Sequence, residues 1–345
     1  HSVVKLREIG LNPDILVCRT EQNHHLTQKL KKKLALFCNV ENQNVFESPD
    51  VNTIYEIPLV LYNQNFDQTI INRLNIDNDM QHTKIDYLKN AMDIYKSPKH
   101  EVNIAMCGKY NSLHDAYKSI LEAFIHAGIF NDAKVNVKWV DTEKLESDNN
   151  FKDSFKNVDG ILIPGGFGDR GIEGKIMSAQ YARENNIPFL GICLGMQCAV
   201  IDFARNVCNL KYANSTEFNK KTPYPVIDLM SSQHRVKDKG ATMRLGKYSC
   251  TVAKNSNTFE AYNQLTINER HRHRFEFNNK YRDLFKKEGL SITGINKKLN
   301  LVEIVEYKDH NWFVGVQFHP ELKSRIVKVH PLFKDFISAA IKYKS

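Results

Sequence analysis

The residue best placed to do chemistry in this sequence is a cysteine. Cys193 stands in Gly191-Ile-Cys-Leu-Gly195, with the apolar run 187–192 before it and Met196, Val200, Phe203 and Val207 at helical spacing after it. A thiol between two glycines at a strand-to-helix turn is a nucleophile elbow, because small neighbours permit the strained backbone that pushes the side chain out at the carboxyl edge of a sheet. A helix amino terminus and a nearby imidazolium favour the thiolate, the form that attacks a carbonyl carbon. Cys18, Cys38, Cys107, Cys198 and Cys208 lack this setting and read as structural thiols. The seven cysteines form no C-x-x-C pair, so neither zinc nor a redox motif is indicated.

A thiol that attacks must first lose its proton. Gln317-Phe-His319-Pro-Glu321 follows a strand-like stretch, 312–316, and supplies both a base and a carboxylate two residues on. His319 is expected to take the proton, with Glu321 fixing the imidazole tautomer across a turn stiffened by proline. One histidine and one carboxylate are too few for a zinc site. The tetrahedral intermediate needs donors as well. Residues 159–171 are a strand feeding Pro164-Gly-Gly-Phe-Gly-Asp-Arg-Gly171, whose backbone N–H groups, with that of Leu194, can hold an oxyanion. Gly166 to Gly171 also spell G-x-G-x-x-G, with Glu184 downstream, but a dinucleotide fingerprint follows the first strand of its unit and this one comes late.

The elements that must position these groups alternate between strand and helix. Buried strands are expected near 102–107, 135–140, 160–163 and 189–192, with a helix from Leu113 stopping at Gly128 and others between, giving an α/β, doubly wound, mostly parallel sheet. Strands near 301–306 and 312–317 and an amphipathic helix over 331–342 complete it. Upstream, 14–18, 34–38 and 54–58 read as strands of another α/β unit. The domains expected are therefore 1–75, a polar linker over 76–100, and 101–345.

Three motifs in this order, Pro-Gly-Gly-Phe-Gly, Gly-Ile-Cys-Leu-Gly-Met-Gln and Phe-His-Pro-Glu, resemble those of class I glutamine amidotransferases. The surrounding segments Gly108-Lys-Tyr110, Asn214-Ser-Thr-Glu-Phe218, Gly240-Ala-Thr-Met-Arg-Leu-Gly246 and Glu269-Arg-His-Arg-His-Arg274 are similar to the CTP synthase family in particular. The likeness implies that 101–345 has the class I amidotransferase fold, preceded by the end of a P-loop-type synthetase domain. It further implies that Cys193, His319 and Glu321 release ammonia from glutamine for the ATP-dependent amination of UTP to CTP, a ligase reaction of pyrimidine biosynthesis. Gly166 and Leu194 would form the oxyanion hole. Gly166, Phe167, Gln197, Glu217 and Arg274 would bind glutamine, the arginine gripping its α-carboxylate and Glu217 its ammonium. Thr242 and Arg244 would serve activation by GTP. Lys33 would touch UTP or CTP phosphates, and Arg19 and Asp50 would border the ATP adenine. The likeness also implies a cytoplasmic homotetramer using Mg²⁺, with ATP and metal sites mostly outside this chain. No G-x-x-x-x-G-K-[ST] occurs here, so the phosphate loop is expected upstream of His1. The stretch 231–239 is abrupt for the family.

Two rival readings share the elbow. A cysteine hydrolase of another substrate would not need Arg274 and Glu217 as an amino-acid clamp, and a noncatalytic assembly module would release no glutamate. The bulk numbers favour neither. A formal charge of +9 over 345 residues is spread widely and reads as solvated surface, and the basic run 269–274, flanked by Phe275 and Phe277, reads as a partly buried strand rather than a nucleic-acid site. No apolar run approaches the ~18 residues that a membrane helix needs. The scattered thiols suit a reducing compartment.

Overall fold

The computed structural model describes residues 1–21, 23–77, 85–109, 114–148, 150–229 and 243–345. The chain divides into two compact units, His1–Lys96 and Ser97–Ser345.

In the first unit two strands, β1 (Leu16–Thr20) and β2 (Val45–Pro49), pair in parallel, with Leu16 opposite Val45. Two stretches expected as strands are helical instead. Residues 34–38 end the helix Gln28–Cys38, which opens where the Thr27 hydroxyl accepts from Leu30 N at 3.3 Å. Its apolar residues Leu30, Leu34 and Phe37 keep helical rather than alternating spacing. Residues 54–56 form a 3₁₀ turn leading into the helix Ile57–Tyr62, where Pro58 sits in the first turn, the one place a helix tolerates it. The segment expected as a linker, 76–100, carries the helix Ile85–Lys96, which packs Ala91 and Met92 inside the first unit.

The strands of the second unit are, in chain order, β3 (His100–Gly108), β4 (Ala133–Asp141), β5 (Gly160–Ile163), β6 (Phe189–Ile192), β7 (Ala213–Ser215), β8 (Tyr224–Leu229), β9 (Arg244–Val252), β10 (Thr266–His273), β11 (Phe275–Phe277), β12 (Leu290–Asn296), β13 (Leu301–Tyr307) and β14 (Phe313–Val316). Nine of them make one sheet in the order β10-β9-β12-β13-β14-β6-β5-β3-β4. From β4 to β14 every neighbouring pair is parallel, and from β14 outward every pair is antiparallel. The parallel half is the expected doubly wound core, and the antiparallel half extends it, because short links such as 297–300 between β12 and β13 return the chain by hairpin rather than crossover. β8, β7 and β11 form a separate three-stranded sheet.

Side chains alternate across the sheet. Val102, Ile104 and Met106 of β3 pack under the helices Lys118–Phe130 and Pro331–Lys344, while Ala105 and Cys107 face the other layer, with Ala179 of the helix Ile172–Glu184 and Ala199 of the helix Leu194–Asn206. Phe333 and Phe336 of the closing helix are fully buried, each contributing about 1.5–3 kcal/mol. Gly128 does not stop the helix Lys118–Phe130 as its type suggested. A Cβ there would lie 2.6 Å from Ala133 O, so this glycine lets helix and β4 approach.

Candidate active site

Cys193 joins β6 to the helix Leu194–Asn206 and takes φ 52° and ψ −101°, a conformation L residues rarely adopt. Such a backbone costs of order 1–3 kcal/mol and persists only where its surroundings over-determine it. Here they do. A Cβ on Gly191 would lie 2.8 Å from Gly195 C, and one on Gly195 would lie 2.2 Å from Ile163 O, so the elbow is wedged between β5 and its own helix. Cys193 N donates to Val316 O at 2.6 Å, tying the elbow to the neighbouring strand β14. The helix begins at the sulfur-bearing residue, so its amino-terminal dipole favours negative charge there.

His319 follows β14 and its backbone N–H donates to Arg270 O at 2.8 Å. Its Nδ1 meets Glu321 Oε1 at 2.7 Å, which leaves Nε2 buried and, among the described residues, without a hydrogen-bond partner. A Cβ on Gly165 would touch His319 Cε1 at 2.8 Å and Cys193 Cβ at 3.5 Å, so thiol and imidazole face each other across the space that this glycine leaves open. Burial disfavours the imidazolium, but the Cys193 sulfur and the Glu321 carboxylate outweigh it and raise the His319 pKa to about 10. Nε2 makes no hydrogen bond of ordinary geometry to Sγ, and in resting sites such bonds are often long or poorly aligned.

Cys193 opens on a cavity of about 270 Å³ whose wall includes Gly166, Phe167, Leu194, Gln197, Glu217 and Arg274. The structure thus brings together all the residues expected around a glutamine. Gly166 adjoins Leu194, since a Cβ on the glycine would lie 3.4 Å from Leu194 Cδ2. The Glu217 carboxyl is pushed up by burial, against the pull of a Gly168 backbone hydrogen bond, Arg274 and Lys109. Lys109 donates to Phe167 O, bracing the glycine-rich turn. His319 and Glu321 line a second cavity of about 370 Å³, which shares Gly166, Phe167 and Arg272 with the first.

Other expected positions lie elsewhere. Arg244, expected to serve a nucleotide, is only 3% exposed. Its guanidinium pairs with Glu276 Oε1 at 3.0 Å and Glu303 Oε1 at 2.8 Å and lies 4.4 Å from the Tyr248 ring, so it is a buried hub rather than a surface contact. Burial pushes the Glu276 carboxyl up to about 8; Arg244 opposes this and Glu303 adds to it. Thr242 and the stretch 231–239 lie outside the described residues. In the first unit Arg19 Nε pairs with Asp50 Oδ1 at 2.9 Å on the surface, at the ends of β1 and β2, and Lys33 is exposed on its helix.

Four residues near the site carried no assignment from sequence. Gln317, fully buried, donates to Cys193 Sγ at 3.7 Å. His273 Nδ1 donates to Phe275 O at 3.2 Å, so its Nε2 accepts from His271 Nδ1 at 2.9 Å, and both rings are neutral. Lys175 is 1% exposed, and burial lowers its pKa. For Gln317 the signal was present: it stands two residues before His319, on the same face of an extended chain.

Residues 112–339 match the family described as "Glutamine amidotransferase class-I", and residues 1–76 match "CTP synthase N-terminus". The chain is 52% identical over 344 residues to the CTP synthase of Caldanaerobacter subterraneus subsp. tengcongensis and 53% identical over 344 residues to that of Syntrophus aciditrophicus. Each alignment takes in 100% of this chain and 63% of the relative, so the chain spans a little under two thirds of their length. A solved structure, "Trypanosoma brucei CTPS - glutaminase domain with bound acivicin", is 39% identical with a TM-score of 0.66, covering 70% of this chain and 94% of that one.

Proposed function

The chain belongs to the class-I glutamine amidotransferase family, and on that footing we propose that it hydrolyses glutamine through Cys193, His319 and Glu321. The Cys193 thiolate attacks the side-chain carboxamide carbon, forming a C–S bond. Backbone N–H groups of Gly166 and Leu194 receive the oxyanion, where one donor is worth on the order of 10²–10³ in rate. His319 then gives its proton to the departing nitrogen as the C–N bond breaks, and ammonia leaves. Water attacks the thioester, His319 takes its proton, and glutamate is released. Glu321 holds the ring throughout, with its carboxylate on Nδ1 and Nε2 left to the reaction. Arg274 grips the α-carboxylate and Glu217 the α-ammonium, whose arrival would relieve the burial that pushes the Glu217 carboxyl up. Phe167 and Gln197 wall the pocket.

The observation that carries this reading is the strained Cys193 facing the His319–Glu321 pair beside a cavity holding both Arg274 and Glu217. The test is glutamate release from glutamine, measured for the purified chain and for a longer protein that includes it. Cys193→Ala should lower the rate by on the order of 10⁴-fold or more. Retention of the parental rate by that variant would refute the reading.

For the longer protein the proposed activity is that of a CTP synthase: ammonia made here displaces phosphate from O4-phosphorylated UTP to give CTP. The match of residues 1–76 and the names of the relatives support this. The proposal includes a cytoplasmic homotetramer, activation by GTP, and Lys33, Arg19 and Asp50 near the nucleotides. Among the described residues no helix is long and apolar enough to cross a membrane. Among the described residues there is no group of three or more His, Cys, Asp or Glu that could hold a metal ion.

A further inference from the structure

We propose that Gln317 is a catalytic residue of this site: its side-chain amide donates to the Cys193 sulfur and holds the nucleophile as an oriented thiolate, while Gln197 is a positioning residue that fixes which end of that amide faces the sulfur. The inference rests on the reading of Cys193 as the nucleophile and adds a donor to it.

The two ends of an amide look alike, so the orientation has to be argued from partners. The chain of contacts starts at Phe275 O, a main-chain carbonyl that can only accept. Gln197 Nε2 lies 3.0 Å from it, so that end of Gln197 is the NH₂. The same Nε2 lies 3.2 Å from the Gln317 amide, and having already been assigned as a donor it requires Gln317 to present oxygen there. The remaining end of Gln317, the NH₂, is then the one 3.7 Å from Cys193 Sγ. Flipping Gln317 would set NH₂ against NH₂ and oxygen against sulfur, in a place where Gln317 is 0% and Cys193 4% exposed and little water can compensate.

Two periodicities bring these side chains together. Gln197 sits one helical turn after Cys193, its N–H donating to Cys193 O at 3.2 Å. Gln317 and His319 stand two apart on the extension of β14, so both can turn to the elbow from one strand. The sulfur thus faces two different groups. His319 moves the proton, whereas Gln317 keeps its own and cannot neutralise the thiolate. A donor that bonds the charged form favours that form, which raises the fraction of attacking thiolate at neutral pH. It also withdraws some electron density, and thiol nucleophilicity falls with pKa along a Brønsted slope of about 0.4–0.5.

Those opposed effects give a signature that a purely structural residue lacks. Alkylation of Cys193 by iodoacetamide is followed by peptide mass across pH, which separates it from the other six thiols. In Gln317→Leu the alkylation midpoint should move up by about one pH unit while the high-pH plateau rises about threefold, the factor that slope implies. Gln317→Glu, nearly the same shape, replaces the donor by a carboxylate at neutral pH and should move the midpoint up at least as far. Gln197→Met should give a smaller shift in the same direction, because Gln317 survives but loses its orientation. If Gln317→Leu does not fold, as judged by its melting transition, the Gln317→Glu and Gln197→Met curves decide. An unchanged midpoint and plateau in folded variants would overturn the role of Gln317. If instead Cys193 of the parent chain alkylates no faster than the same thiol in denatured chain, the nucleophile reading itself is what fails.

Discussion

Replacing Gly165 by alanine separates the nucleophile from its base without touching either. The position has a backbone conformation open to any L residue, so strain in the turn is not the issue. The new methyl would sit 2.8 Å from His319 Cε1 and 3.5 Å from Cys193 Cβ. Carbon atoms rest at about 3.5–4.0 Å, so the imidazole must retreat by roughly 0.7 Å or more while the cysteine, wedged in its elbow, stays. A misplacement of about 1 Å costs on the order of 10²-fold in rate, or about 2.7 kcal/mol in the barrier. The same retreat weakens the hold of the sulfur on the imidazolium, so the His319 pKa should fall from its raised value of about 10. The assay is steady-state glutamate release by Gly165→Ala against the parent, with the thermal transition recorded for both. A variant that melts like the parent and keeps its rate within about threefold would refute the argument that this glycine exists to let ring and sulfur meet.

Two further outcomes follow from the same geometry. Arg274→Lys and Glu217→Gln should each raise KM for glutamine about tenfold to a hundredfold with a smaller change in kcat, because each loses one charge-assisted bond to a group remote from the reacting carbon; glutamate-release kinetics reporting an unchanged KM would remove that residue from the clamp. Stability should fall in mild acid: burial lowers His126 to about 4 and His271 to about 2, so below about pH 6.5 the unfolded chain takes up protons that the native one refuses, costing about 1.4 kcal/mol per pH unit for each ring until the folded pKa is reached. His319, raised to about 10, acts in the other direction only above about pH 6.5, where its contribution is lost as pH climbs through 10, whereas Glu276, pushed up to about 8, takes its proton earlier in the native chain and offsets about one of the two rings between pH 7 and pH 5, leaving a smaller net fall. Urea midpoints at pH 7 and pH 5 check this, and a His126→Gln chain should lose part of the slope; an equal slope would deny that ring its share.

The centre of the parallel half was legible because β5 and β6 are buried on both faces and read as short apolar runs beside a proline, 160–163 before Pro164 and 189–192 after Pro188. β10 was legible from its flanks instead: Phe275 and Phe277 marked the basic run 269–274 as a partly buried strand, and its inward residues are Ile267, Glu269, His271 and His273, an alternation written mostly in polar side chains. The burial of Arg244 was not readable, since a guanidinium is exposed by default and the two carboxylates from β11 and β13 make its burial tolerable. In the first unit the short apolar runs 34–38 and 54–58 carried no period long enough to separate helix from strand, and local capping by Thr27 and the placement of Pro58 decided.

What the sequence could not give is the register that turns three separate motifs into one site. β6 and β14 are far apart in the chain, yet they lie side by side in parallel with Ile192 opposite Val316, so the residues that leave their carboxyl ends, Cys193 and Gln317, emerge together. The bond from Cys193 N to Val316 O continues that ladder by one step into the elbow itself. Because side chains alternate with a period of two, slipping β14 by one residue would turn Gln317 and His319 away from the sulfur and bring Phe318, now fully buried behind the site, in their place. The register is held against such a slip by the apolar side chains of Val314, Val316 and Phe318, which would have to leave the core for it to occur. Core packing on one face of β14 therefore fixes the orientation of the catalytic groups on the other, and the nucleophile, its base and the amide beside them are placed by the same hydrophobic contacts that hold the sheet together.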